Sequence, residues 1–132
     1  MRVYLVRHAE AEPGSPDELR ALTQAGRVAA RSLGKRLRSE AGTVDGVVSS
    51  PLRRARETAE AIADELGARA GVDELLAPGA TAALVRQAVA GAGETVVVVG
   101  HQPDCGRIVA ELTGAPEPPF PPAGMFALDL PA

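Results

Sequence analysis

The chain contains two histidines, and each follows an apolar run that is typical of a buried β-strand. His8 comes after residues 3–6 and Arg7, and His101 comes after residues 96–100. In open α/β sheets, ligands bind beyond the carboxyl ends of the strands. We therefore expect the two histidines to meet at one edge of a sheet, although they are far apart in the chain.

Arginines accompany these histidines at positions that favour an anionic ligand. Arg7 precedes His8, and Arg53 and Arg54 lie in the first turn of a predicted helix that follows a strand. Cations are unfavourable at a helix N-terminus unless a bound anion neutralises them. Arg54, one turn before Thr58, is expected to face that anion, whereas Arg53 is expected to face solvent. Because a neutral imidazole can attack phosphorus and cations stabilise phosphoryl oxygens, the set predicts phosphoryl chemistry.

The residues after the second histidine also point to a bound anion. His101 is followed at once by a predicted helix start at Gln102-Pro103. We expect the backbone N–H of Gln102 and the ring of His101 to face the same anion. Cys105, the single cysteine, excludes an intrachain disulfide and is expected to be a buried structural thiol.

Strand-like and helix-like segments alternate along the chain. This alternation predicts an α/β fold of three layers, with a mostly parallel central sheet and helices on both faces. The predicted strands cover residues 2–7, 44–49, 70–75 and 94–100, and the predicted helices cover residues 23–40, 51–66, 81–90 and 103–112. Thr23 and Ser50 are the expected helix caps. The proline-rich residues 116–122 form a connector, and residues 125–130 predict an edge strand at the C-terminus.

Composition limits the possible classes of protein. A length of 132 residues predicts one domain, and an apolar fraction of 45% argues against disorder. The net charge of −3 gives no indication of nucleic-acid binding, although arginines are abundant and Lys35 is the only lysine. Neither a bilayer-spanning apolar run nor a signal-peptide pattern is present, so we expect no membrane association and a cytoplasmic location.

Taken together, the motifs resemble those of the histidine phosphatase superfamily, also called the phosphoglycerate mutase-like family. Within it, the chain is most similar to the small bacterial phosphohistidine phosphatases of the SixA type. The resemblance extends over nearly the whole chain in the family's order. The matching stretches are residues 3–9, which correspond to the Arg-His-Gly motif, 20–26, 49–59 and 97–101.

This resemblance implies a role for each site residue. His8 would be the nucleophile of a metal-independent phosphatase and would form a phosphohistidine intermediate. Arg7 and Arg54 would clamp the phosphoryl oxygens, and His101 would donate to the same group. Arg20 would make an additional phosphate contact. The resemblance implies no cofactor, a phosphorylated protein or small molecule as partner, and residues 1–132 as one domain without a large lid insertion.

The chain departs from the family pattern at two positions. Ala9 replaces the usual glycine after the histidine, which is minor if position 9 does not need a positive φ. The usual general acid falls at Leu75, with Glu74 one residue earlier, so the proton donor is left open. Imidazole leaves a phosphoramidate more readily than an alkoxide leaves an ester. The pattern therefore favours phosphohistidine over sugar phosphates as the substrate.

Three other functions are compatible with these residues. A phosphatase for small phosphate esters would use the same site. A metal hydrolase would use His8 and His101 with Glu10 or Asp104, but neighbouring arginines repel a cation. A non-catalytic module would bind phosphate or a phosphoprotein without turnover.

Overall fold

The computed structural model describes residues 1–131, which form one five-stranded sheet with four α-helices. The strands are β1 (Arg2–Arg7), β2 (Gly46–Ser49), β3 (Ala70–Val72), β4 (Thr95–Gly100) and β5 (Met125–Asp129). The helices are α1 (Gln24–Ala41), α2 (Arg53–Leu66), α3 (Ala82–Val89) and α4 (Asp104–Thr113). Single turns of 3-10 helix lie at Asp17–Leu19 and Glu74–Leu76. Within this part of the chain, no helix has the length and apolar character that crossing a membrane requires.

The order of the strands places the two histidines side by side. The sheet runs β3-β2-β4-β1-β5, and the first four of these strands are parallel. β5 pairs antiparallel with β1 at the edge, as the sequence predicts. Arg7 and Gly100, the last residues of β1 and β4, are partners in the ladder. The residues that follow β1 and β4 therefore leave the sheet side by side, at the carboxyl ends of the strands.

Both faces of the sheet are buried, which confirms the three-layer α/β/α fold. Along β4, Val96 and Val98 belong to the apolar cluster that includes side chains of α3 and α4. Val97 and Val99 belong to the cluster that includes side chains of α1 and α2. Full burial of each such side chain contributes about 1.5–3 kcal/mol, so this strand is held firmly beneath the edge that carries the histidines.

Of the two predicted helix caps, the one at Thr23 is confirmed and the one at Ser50 is wrong. Thr23 caps α1, because its hydroxyl accepts a hydrogen bond from the N–H of Gly26. The prediction that Ser50 caps α2 is wrong: α2 begins at Arg53, and its N-cap, Leu52, makes no side-chain cap. Ser50 is still held by the sheet, since its N–H donates to the carbonyl of Val99. Its hydroxyl accepts from the N–H of Leu52, the residue before the helix, and not from a residue of the first turn.

The remaining differences lie at element ends. β2 begins at residue 46 rather than 44, and α4 begins one residue later than predicted. β3 ends at Val72 rather than at residue 75. The reason is local, because the side chain of Asp73 accepts from the N–H of Leu75 and starts the 3-10 turn Glu74–Leu76.

Candidate active site

His8 is the first residue beyond β1, and its ring is held in one tautomer. Its backbone N–H donates to the carbonyl of Gly100 over 3.0 Å. Its ring Nδ1 lies 2.7 Å from the carbonyl oxygen of Ala9. A carbonyl can only accept, so Nδ1 carries the proton and Nε2 keeps its lone pair. The ring therefore presents an unprotonated nitrogen that is suited to nucleophilic attack.

The surroundings of His8 keep its ring neutral. Burial lowers the pKa of His8 below its ordinary value, and this effect outweighs the hydrogen bond to Ala9, which raises it. The positive charges of three arginines lower the pKa of His8 further, and these are Arg54, Arg7 and Arg20. The structure thus brings the predicted arginines within electrostatic range of the predicted nucleophile.

Ala9 and Thr58 fasten the loop that follows β1, residues 8–10 (the histidine loop), to α2. The N–H of Ala9 donates to Oγ1 of Thr58 over 3.0 Å, and that hydroxyl donates to the carbonyl of Arg54 over 2.8 Å. Ala9 and Thr58 are both fully buried. Among residues 1–131, Ala123 is the only non-glycine residue with a positive φ, so Ala9 occupies the family's glycine position without backbone strain.

Arg54 and Arg20 converge on one carboxylate, that of Asp17. Only 7% of Arg54 is exposed. Its Nη1 donates to the carbonyl of Asp17 over 2.9 Å, and its Nη2 donates to Oδ2 over 3.1 Å. Nη1 of Arg20 donates to Oδ1 of Asp17 over 2.9 Å, and its Nε donates to the carbonyl of Glu12 over 2.7 Å. The bonds from Arg20 and then from Arg54 lower the pKa of Asp17.

Arg53 behaves as the sequence predicts. Its side chain is 44% exposed, and its Nε donates to Oε2 of Glu57 over 3.2 Å. The other oxygen of that carboxylate accepts from the N–H of Leu22 over 2.8 Å. Arg53 therefore faces outward, while its neighbour Arg54 is buried.

Arg7 is held by the proline-rich connector. Its Nη1 donates to the carbonyl of Phe120 over 2.9 Å, and Phe120 is itself buried. The carbonyl of Arg7 accepts from the N–H of Ala123. The connector, which has no regular structure over residues 116–121, thus fixes one end of the guanidinium.

His101 lies beside His8 and is held by Ser50. The two ring centroids are 5.3 Å apart. Nε2 of His101 lies 2.7 Å from Oγ of Ser50, which also accepts from the N–H of Leu52 over 3.2 Å. Ser50 can donate its single hydroxyl proton to Nε2, and in that tautomer, which we assign, Nδ1 of His101 carries the ring proton. Burial, followed by the nearby charges of His8 and Arg54, lowers the pKa of His101 to about 4.

Two donors at this edge have no partner. Within the described part of the chain, the only buried side-chain nitrogen or oxygen atoms without a hydrogen bond are Nε of Arg7 and Nδ1 of His101. Buried polar groups are nearly always paired, so these two atoms mark a place where a water molecule or an anionic ligand can bind. Nε of Arg7 is a donor, Nδ1 of His101 is one in the assigned tautomer, and both belong to residues that the sequence assigns to one anion.

The residues after His101 have mixed outcomes. The side-chain oxygen of Gln102 accepts from the N–H of Gly106 over 2.8 Å, so that side chain serves α4. The backbone N–H of Gln102 makes no hydrogen bond to any residue from 1 to 131, and it remains a predicted contact. Asp104 is buried; one of its oxygens pairs with Arg107, and the other accepts from the N–H of Gly79 over 2.8 Å.

Other candidates take no part in this cluster. Cys105 is buried, and burial raises the pKa of its thiol to about 12, as expected for a structural cysteine. Glu74 is exposed and makes no side-chain hydrogen bond to the described residues, while Leu75 is half-buried. Across residues 1–131, no three or more His, Cys, Asp or Glu side chains are grouped so that they could hold a metal ion.

Sequence reasoning missed three contributors. Asp17 lies three positions before Arg20, and this spacing indicates an ion pair between the two side chains. Nothing in the sequence indicates that Asp17 also contacts Arg54. The position of Thr58 one turn after Arg54 gives no sign that its hydroxyl binds the N–H of Ala9. The position of Ser50 before a helix predicts a cap, whereas its hydroxyl contacts His101.

The fold and the buried site define an α/β protein with a pair of histidines, accompanied by arginines, at the carboxyl ends of its parallel strands. Residues 3–77 match the model of the histidine phosphatase superfamily (branch 1). The chain belongs to this superfamily, and it is a phosphatase of the SixA-like kind.

Individual relatives agree with this assignment. An uncharacterized protein of Picosynechococcus sp. is 37% identical over 115 residues, which cover 81% of this chain and 70% of that protein. Phosphohistidine phosphatase SixA of Escherichia coli is 32% identical over 127 residues, covering 91% and 79%. The structure of the protein histidine phosphatase SixA complexed with tungstate superimposes with a TM-score of 0.88 at 29% identity, covering 98% and 88%.

Proposed function

We propose that this phosphatase removes the phosphoryl group from phosphohistidine in a protein and that His8 carries the group as a covalent intermediate. The observation that carries the proposal is that two buried donors without hydrogen-bond partners accompany the neutral imidazole of His8. Nε of Arg7 and Nδ1 of His101 lack partners among residues 1–131, and His8, whose ring centroid lies 5.3 Å from that of His101, presents a free Nε2. A phosphoryl group would satisfy the donors while its phosphorus faces the nucleophile.

The reaction then has two displacements. In the first, the Nε2 lone pair of His8 forms a bond to phosphorus, and the bond from phosphorus to the substrate imidazole breaks. The leaving imidazole takes a proton from solvent or arrives already protonated. In the second, water attacks phosphorus, the bond to Nε2 breaks, and phosphate leaves with the remaining proton going to solvent. His8 returns to its neutral form.

The cationic groups stabilise the charge on the phosphoryl oxygens. Arg7, Arg54 and Arg20 supply guanidinium donors, and the Nδ1 proton of His101 supplies a neutral one. Because backbone carbonyls, those of Phe120 and Asp17, anchor Arg7 and Arg54, these arginines need little reorganisation when the substrate binds. Loss of one such preorganised donor typically lowers kcat by about a hundred- to a thousandfold.

The missing acid supports phosphohistidine over a phosphate ester. Leu75 at the family's acid position has no proton to give, and the exposed carboxylate of Glu74 makes no hydrogen bond or ion pair with residues 1–131 that would orient it. An imidazole leaving group needs less protonation from the enzyme than an alkoxide does. The E. coli relative is named a phosphohistidine phosphatase and the tungstate-bound structure a protein histidine phosphatase, and both names support the same substrate class.

The test measures phosphate release from a phosphohistidine protein and from an aryl phosphate, with EDTA present. We expect faster turnover of the phosphohistidine protein and no turnover by His8→Ala. Arg54→Ala should lose about a hundred- to a thousandfold in kcat, whereas Arg53→Ala should keep its activity. Faster turnover of the ester would reassign the substrate to small phosphate esters. Oxyanion binding without turnover of either substrate would indicate a binding module.

A further inference from the structure

Both oxygens of the Asp17 carboxylate are engaged by arginines of the phosphoryl site. Oδ1 accepts from Arg20 over 2.9 Å, and Oδ2 accepts from Arg54 over 3.1 Å. Two oxygens held between two guanidinium groups are arranged much as two oxygens of a phosphoryl group would be. The carboxylate therefore occupies donors that the proposed function assigns to the substrate.

The two partners differ in how easily they can move. Arg54 is 7% exposed and lies on α2, close to the hydroxyl that fastens the histidine loop. The side chain of Asp17 is 61% exposed and lies on a single 3-10 turn between β1 and α1. An exposed carboxylate can rotate into water and be solvated there, whereas the buried arginine stays in place.

We propose that Asp17 is an internal competitor for the phosphoryl site: its carboxylate occupies Arg20 and Arg54 in the free enzyme and is displaced when a phosphoryl group binds. The proposal rests on the phosphoryl site described under the proposed function. Its consequence concerns the product as well as the substrate. As inorganic phosphate leaves, the carboxylate returns to the arginines, so bound phosphate is replaced and product inhibition is weakened.

The competing interpretation is that Asp17 only holds the two arginines in position. The two interpretations predict opposite changes on removal of the charge. A competitor weakens the binding of every anion that must displace it, so its removal strengthens binding. A positioning residue strengthens binding, so its removal weakens it. Exposed ion pairs are weak, and we expect a change of about two- to tenfold in affinity.

The experiment measures tungstate binding by calorimetry for the wild-type chain, Asp17→Asn and Asp17→Ala. Asn keeps an acceptor oxygen but loses the charge, and Ala removes both. The matched control is Glu18→Gln, which makes the same change of charge in the same turn. Glu18 is exposed and makes no hydrogen bond or ion pair with any described residue. Thermal melting confirms that each variant is folded.

We expect both Asp17 variants to bind tungstate about two- to tenfold more tightly than the wild-type chain, and Glu18→Gln to bind like wild type. Unchanged or weaker binding in the Asp17 variants would overturn the proposal. An equal gain in Glu18→Gln would also overturn it, because general electrostatics would then explain the effect. If the wild-type chain binds no tungstate, the phosphoryl site itself fails, and that outcome is distinct from a failure of Asp17.

Discussion

Replacing Thr58 with valine should separate the anchoring of the histidine loop from the chemistry of the site. The change keeps the shape of a fully buried side chain and removes its hydroxyl. The N–H of Ala9, which donates to that hydroxyl over 3.0 Å, is then left buried without an acceptor. An unsatisfied buried donor costs about 1–3 kcal/mol. For a chain of 132 residues, this lowers Tm by roughly 4–12 °C.

The same substitution should also lower activity. The carbonyl of Ala9 holds Nδ1 of His8 over 2.7 Å, so a shift of this peptide misplaces the nucleophile. Misplacement of a reacting group by a fraction of an ångström to 1 Å lowers kcat/KM by roughly ten- to a hundredfold. The assays are thermal and urea unfolding for stability and initial rates on the phosphohistidine protein for kcat/KM.

Thr113 provides a matched control for Thr58→Val. Its hydroxyl donates to the carbonyl of Val109 over 2.7 Å and accepts from the N–H of Ala115 over 3.2 Å, but it is exposed. Thr113→Val should change the free energy of unfolding by less than about 0.5 kcal/mol and leave the rate unchanged. If Thr58→Val also stayed within about 0.5 kcal/mol of the wild-type chain and kept full activity, the anchoring argument would be refuted.

Three further predictions concern the histidines and their support. Since the pKa of His8 is lowered and attack requires its neutral ring, kcat/KM should be flat near pH 7 and fall only below about 6.5, the ordinary histidine pKa; a decline centred above that pH would contradict this. In the assigned tautomer, the hydroxyl of Ser50 donates to His101 and stabilises its neutral ring. Ser50→Ala removes this bond, so NMR titration should show the pKa of His101 rising above about 4. An unchanged or lower pKa of His101 would count against the assigned tautomer. Gly26→Ala places a Cβ against a backbone carbonyl of the histidine loop and should lower the free energy of unfolding by about 1–3 kcal/mol, whereas Gly71→Ala, with open space around it, should unfold like the wild-type chain.

The sequence was sufficient to predict the sheet and the meeting of the two histidines. The valine run of β4 and the apolar run of β1 have few alternatives to buried parallel strands. Once these strands are neighbours, the residues that follow them must share an edge. The cap at Thr23 was equally predictable, because a hydroxyl before a polar first turn has a local partner three residues later.

The parts that could not be predicted depend on contacts between distant segments. Ser50 is compatible with a helix cap by its position in the chain, and only the pairing of β2 with β4 shows that its hydroxyl reaches His101. Asp17 lies in a loop whose path has no periodic signal, so its contact with Arg54 appears only in three dimensions. The support of Arg7 by the proline-rich connector has the same origin.

The most direct test of the central claim is to identify the residue that carries the phosphoryl group during turnover. The enzyme is mixed with a phosphohistidine protein, quenched in alkali, digested, and analysed for phosphorylated peptides by mass spectrometry. We predict that the phosphorylated peptide of the enzyme is the one that contains His8 and that His8 itself carries the phosphoryl group. His8→Ala should give neither a phosphorylated enzyme peptide nor phosphate release. A phosphoryl group on another residue of the enzyme, or undiminished turnover by His8→Ala, would contradict the proposed mechanism.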